Sequence, residues 1–207
     1  MNQTHDAIEA EVRAAWEARD HERAVALVIE RYGPELLAFL TSLTRDAVVA
    51  SDVFSEFSEN LWRSWPRFEW RCSVRTWSYT LVRRTASHHR ERNRKHEHNR
   101  TLTPPSQLSL AVERLRTATL AHRRTDVKNR FQELRAQLSE EDQSLLILRV
   151  DRGLSWLELA GIFLNDESAS PELQKTEAAR LRKRFQLAKE RLRALVEQAG
   201  LLENSEG

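Results

Sequence analysis

Apolar residues return at helical spacing through most of the chain, with Val12 and Trp16, then Val25, Val28 and Ile29, then Leu36, Leu37, Leu40 and Leu43 as examples. Steps of three and four line one face of an α-helix, whereas a half-buried strand alternates. Only five glycines and five prolines punctuate the 207 residues, so long helices meet few breakers. The expected fold class is therefore all-α. A chain of this length has room for two small helical domains, each near the lower limit for an independent core.

Local signals divide the pattern. Two amphipathic helices are expected through Ala7 to Trp16 and Val25 to Ile29, with Gly33 and Pro34 as a break and Pro34 opening the next helix through Leu43. Another follows Asp46 and ends at Pro66, and Ser73 is the expected N-cap of a helix carrying Val74, Trp77, Leu81 and Val82. The polar, breaker-containing run from Glu91 to Gln107, with Pro104 and Pro105, reads as a linker, followed by a short helix from Leu108 to about Leu120. In the second half, Ser139 with Asp142 predicts a variant of the capping box and Ser155 with Glu158 a second box, on either side of a turn at Gly153. Ser170 and Pro171 predict the start of a last helix that buries Leu181, Phe185, Ala188, Leu192 and Val196. Two short helices joined through a glycine turn, with a basic third helix, suggest a helix-turn-helix.

Charge is segregated although the net charge is only +2. Met1 to Trp62 carries 12 acidic and 5 basic residues; Arg63 to Arg100 carries 3 acidic and 11 basic, and Ser170 to Arg193 carries 3 acidic and 8 basic. Such a chain can set positive surfaces against a polyanion and keep an acidic one for a basic partner. In the first basic block, Trp62, Trp65, Phe68, Trp70, Trp77 and Tyr79 alternate with Arg63, Arg67, Arg71, Arg75, Arg83 and Arg84. Aromatic faces can stack unpaired bases while arginines neutralise phosphates, a composition suited to single strands. Trp62, Phe68 and Trp77 also fit core positions, and Trp70 and Tyr79 fit either role. The second block places Arg180, Lys183 and Arg184 together on the last helix, as a major-groove reader requires.

The runs Arg31 to Leu40, Ala50 to Glu56, Trp62, Arg67-Phe68 and Ser73 to Trp77 resemble region 2 of extracytoplasmic-function sigma factors. Leu138 to Gln143, Leu146 to Arg149, Gly153 to Ala160 and Ala179 to Leu181 resemble their region 4. The resemblance implies a factor that directs core RNA polymerase to promoters and promotes strand opening, with no catalytic activity and no cofactor. It implies an amino-terminal helical extension at residues 1–22, a region 2-like domain at 23–95, a linker at 96–125, a region 4-like domain at 126–202 and a tail at 203–207. Asp52 and Glu56 match positions that contact the β′ clamp helices, and the remainder of region 4 is expected on the β flap. Arg67, Trp70, Ser73, Arg75, Thr76, Tyr79, Arg83 and Arg84 fall where the minus-ten element is captured. Gln174, Lys175, Thr176, Arg180, Lys183 and Arg184 fall at the minus-thirty-five element. An anti-sigma factor is a possible further partner.

The chain departs from the pattern where Ser51 and Ser55 replace the usual acidic and glutamine neighbours of the docking positions. Glu177 and Ala178 stand in place of valine and lysine in the recognition helix. Asn165 to Lys175 makes the turn longer by about six residues, and the good helix start at Ser170 suggests a recognition helix extended at its amino end. A conventional helix-turn-helix regulator of duplex DNA is the main alternative, and an adaptor without promoter activity a third.

Other chemistry finds little support. His88, His89, His96 and His98 lie in a polar segment without a cysteine partner, so no metal is expected. Cys72 reads as a plain small loop residue, and no phosphate loop or catalytic triad stands out. No run approaches the roughly 18 apolar residues of a membrane span, and the composition suggests a cytoplasmic protein with no direct membrane insertion.

Overall fold

The computed structural model describes residues 2–94, 132–166 and 169–200, and the side chains of residues 5–92, 132–166 and 169–200. The linker at 96–125, the short helix expected near Leu108, the tail at 203–207, and His96 and His98 lie outside the described residues. All regular structure among the described residues is helical, and the chain divides into two compact units, residues 1–122 and 123–207.

The first unit is built from α1 (Asn2–Glu17), α2 (His21–Thr44), α3 (Ala47–Ser64), a 3-10 turn at Trp65–Arg67, and α4 (Val74–Arg94). Short polar side chains start its helices. Asp20 accepts from the Arg23 amide at 3.0 Å, and Asp46 accepts from the amides of Val48 at 2.8 Å and Val49 at 3.2 Å. Each removes a donor that the first helical turn leaves unpaired. Helix α2 packs against α1, α3 and α4, and α3 against α4, around fully buried Val28, Ile29, Phe39, Phe54, Phe57 and Leu61.

Two expectations are corrected here. Gly33 and Pro34 do not break α2, which runs unbroken for 24 residues. Proline there forgoes one ladder hydrogen bond and crowds the preceding turn, a cost of about 3 kcal/mol. Ile29, Tyr32, Leu36 and Leu37, on both sides of it, are at most 2% exposed, and burying each contributes about 1.5–3 kcal/mol, so one buried stripe outweighs the local signal. Helix α4 also continues past Glu91 to Arg94, so the polar run begins as helix.

The second unit contains helical residues 132–135, α5 (Glu140–Leu146), a π-helical turn at Ile147–Asp151, α6 (Trp156–Leu164) and α7 (Pro171–Gln198). The expected caps form. Ser139 accepts from the Asp142 amide, Ser155 and Glu158 make a reciprocal capping box, and Ser170 accepts from the Leu173 amide with Pro171 in the first position. The π turn is the difference from a regular helix. The Arg152 amide reaches back to the Ile147 carbonyl at 3.1 Å, the Leu154 amide reaches Leu148 at 3.1 Å, and Gly153 at φ +68 supplies the left-handed step. Helices α5 and α6 both pack on α7 through Leu145, Leu159, Leu181 and Ala188, all fully buried. Of the core positions expected on α7, Val196 is only half-buried.

Candidate nucleic-acid interface

In the first unit the basic, aromatic block folds inward. Phe68 stacks on Trp77 with ring centres 4.5 Å apart, Trp65 lies 5.7 Å from Trp77, and Tyr79 meets Phe39 edge-on at 5.7 Å. Trp65 and Tyr79 are fully buried, and every residue from Val74 to Thr80 is buried. The first two turns of α4 are thus surrounded on all sides. Of the eight residues expected at a minus-ten element, Arg75, Thr76 and Tyr79 lie inside the folded unit. Thr76 shares a hydrogen bond with Ser73, whose Oγ also accepts from the Thr76 amide at 3.1 Å, so Ser73 caps α4 as expected. Arg75 forms a bidentate pair with Glu35, at 2.8 and 2.9 Å, and its guanidinium lies 5.7 Å from the Tyr79 ring. Arg67 and Arg84 are exposed, while Trp70, Ser73 and Arg83 are half-buried.

Trp70 is the pivot of the loop between the 3-10 turn and α4. Its backbone sits at φ +57, a left-handed conformation that bulky side chains rarely adopt. Phe68 packs on its ring at 5.0 Å, Trp16 of α1 meets it edge-on at 5.9 Å, and the Arg13 guanidinium lies 5.2 Å away. These contacts over-determine a conformation that alone costs on the order of 1–3 kcal/mol.

Sequence reasoning missed Glu9. One of its carboxylate oxygens accepts from the Val74 amide at 2.8 Å, while the other accepts from the Arg75 amide at 3.0 Å and the Tyr32 hydroxyl at 2.9 Å. Burial, then the neighbouring Glu9 charge and hydrogen bond, push the Tyr32 phenol far above its ordinary value, so it remains a donor. No local pattern announces this contact, because Val74 and Arg75 lie 65 and 66 residues from Glu9.

The two expected docking carboxylates lie one turn apart on α3. Asp52 is exposed. Glu56 is half-buried and already engaged, its oxygens meeting His89 Nδ1 at 2.9 Å and the Arg92 guanidinium of α4.

The second unit keeps its charge outside. Of the six residues expected at a minus-thirty-five element, Lys175, Thr176, Arg180 and Lys183 are exposed, and Gln174 and Arg184 are half-buried. Gln174 and Lys175 belong to α7, which begins at Pro171, so part of the apparent turn insertion is helix. Gln174 Nε2 donates to the Ala169 carbonyl at 3.2 Å. Arg180 forms a fork on buried Glu177, at 2.7 and 2.6 Å, and this hydrogen-bonded pairing raises the arginine's pKa further. Arg184 donates to Asp142 at 2.6 Å, to Glu141, and to Ser139 at 3.1 Å, while Arg191 reaches the other Asp142 oxygen at 3.2 Å. Together Asp142, Arg180, Lys183, Arg184, Leu187 and Arg191 line a shallow groove of about 380 Å³. Asp142 was expected only as a cap partner. The Trp156 ring has two guanidiniums close to it, Arg149 at 4.7 Å and Arg182 at 5.7 Å.

Among the described residues no group of three His, Cys, Asp or Glu side chains is arranged to hold a metal ion. None of the described helices is long and apolar enough to cross a membrane.

Residues 28–96 match the family model for sigma-70 region 2, which spans α2, α3, the aromatic loop and α4. The chain has no match among curated proteins. Among solved structures it is similar to the sigma factor RpoE, in its complex with the anti-sigma factor NepR, from Bartonella quintana. The TM-score is 0.56 and the identity 20%, over 86% of this chain and 98% of that one.

Proposed function

We infer that this chain, which belongs to the sigma-70 family, is a transcription initiation factor of the extracytoplasmic-function type that directs core RNA polymerase to promoters. The observation that carries the reading is the coincidence of the region 2 match with the helices that frame the Trp70 loop and α4. It is a binding subunit and not an enzyme; its work is to spend binding energy where DNA strands separate. The chain acts in the cytoplasm, where polymerase and promoters are.

Docking falls to the outer edge of α3. Asp52 is free to meet basic groups on the β′ clamp helices, and Glu56 contributes once it shares its carboxylate with, or gives up, His89 and Arg92. Minus-ten capture falls to the rim of the aromatic cluster. Arg67 and Arg84 attract phosphates, Arg83 and Ser73 border the path, and half-buried Trp70 offers the part of its ring that the core leaves open. Arg75, Thr76 and Tyr79 serve the same surface from inside, by holding the first turns of α4 in place. In the second unit, Lys175, Thr176, Arg180 and Lys183 face the minus-thirty-five duplex, with Gln174 and Arg184 at its margin, and the rest of that unit rests on the β flap. An anti-sigma protein is the expected antagonist.

Run-off transcription with purified core polymerase tests the reading. The chain should confer promoter-specific transcripts that core alone does not make. Binding to duplex DNA without any affinity for core would instead identify a conventional regulator.

A further inference from the structure

We propose that α1 is the strut that positions the single-strand capture loop, with Glu9 as its positioning residue; this rests on the reading of that loop given above. Three independent contacts converge. The Glu9 carboxylate closes the first two amides of α4. It also ties them to α2 through the Tyr32 hydroxyl. Four and seven residues farther along α1, Arg13 and Trp16 hold the other end of the loop by packing on Trp70. The loop is thus gripped at both ends by one helix, and between the grips lie Arg71, Cys72 and Ser73.

Burial decides between a strut and a removable cover. Val12 is fully buried and Ala15 is 6% exposed, on the same helix as the two grips. A helix with its apolar stripe inside the core stays put when DNA arrives. A negative charge at the positive end of α4 is also favourable in itself, so the contact does not await a competing phosphate. The strut keeps Trp70 in its left-handed conformation and fixes the direction in which α4 leaves the loop.

The test uses the full chain bound to core polymerase, with a fluorescent single-stranded minus-ten oligonucleotide and, separately, core affinity. Glu9→Gln keeps the shape and loses the charge. We expect it to weaken oligonucleotide binding about tenfold, with core affinity unchanged, on the scale of losing a strong helix cap. Val28→Ala, a core truncation in α2 that leaves every contact of α1 with the loop in place, is the control for stability. At a matched loss of Tm it should weaken oligonucleotide binding less than twofold. If the two variants weaken binding in step with Tm, or if Glu9→Gln binds normally, the positioning role is overturned. Tighter binding by Glu9→Gln overturns it in favour of a cover. If the unaltered holoenzyme fails to bind the oligonucleotide while duplex promoter binding persists, the capture reading fails first and the strut falls with it.

Discussion

Helices α4 and α7 both look in sequence like basic, nucleic-acid-facing helices, yet they are built in opposite ways. The first two turns of α4 are buried on all sides, with Trp77 and Tyr79 in the core and Arg75 neutralised by Glu35. Helix α7 has one buried stripe, Leu181, Phe185, Ala188 and Leu192, and leaves Lys175 and Lys183 in solvent. Basic residues among aromatics therefore need not form a surface. In α4 the buried turns come first, and exposed Arg84 lies beyond them.

The comparison breaks most easily at Trp77. If α4's amino end is core, Trp77→Ala removes a side chain that is 2% exposed and stacked on Phe68. The expected loss is about 3–5 kcal/mol, read as a lower denaturant midpoint for the first unit. Unchanged stability with weaker single-strand binding alone would place the ring outside after all.

Asp142 tests the other helix. Its side chain is 2% exposed and holds Arg184 and Arg191. Asp142→Ala should cost about 2 kcal/mol through the lost hydrogen bonds to charged groups, and urea unfolding of the second unit measures it. Arg191 is then released and Arg184 keeps only Glu141 and Ser139, so duplex affinity should rise at low salt and fall more steeply as salt increases. A flat salt response would mean that neither arginine reaches DNA.

The smallest effect on stability, and the one that sharpens the contrast, belongs to Lys183→Ala and Lys175→Ala. Both side chains are exposed, so stability should stay within about 0.5 kcal/mol. Each should lower the salt dependence of duplex binding by about one phosphate contact. A change in minus-thirty-five preference for Lys175→Ala would assign it base readout, and an unchanged slope would exclude it from the interface.

What could be read in advance follows from the range of each interaction. The caps at Ser73, Ser139, Ser155 and Ser170 were legible because each joins residues three apart. The break expected at Pro34 was wrong because burial on both sides of it is a tertiary effect, invisible to a local rule. The inward turn of Tyr79 was illegible for a related reason. A helix buried all round has no polar stripe to betray its orientation, and seven consecutive buried residues include Arg75, Thr76, Ser78 and Thr80. Glu9 and Asp142 were missed because their partners lie tens of residues away. A carboxylate in an amphipathic helix looks the same whether it meets water or the end of another helix.

The fork between Arg180 and Glu177 bears on how the proposed minus-thirty-five surface can change. Glu177 is 8% exposed, and its carboxylate is committed to Arg180. Replacing the arginine alone strands a buried negative charge, and replacing the glutamate alone frees the guanidinium to swing. On the proposed duplex-facing side of α7 the two positions are therefore coupled, and the effects of exchanging them should not add independently.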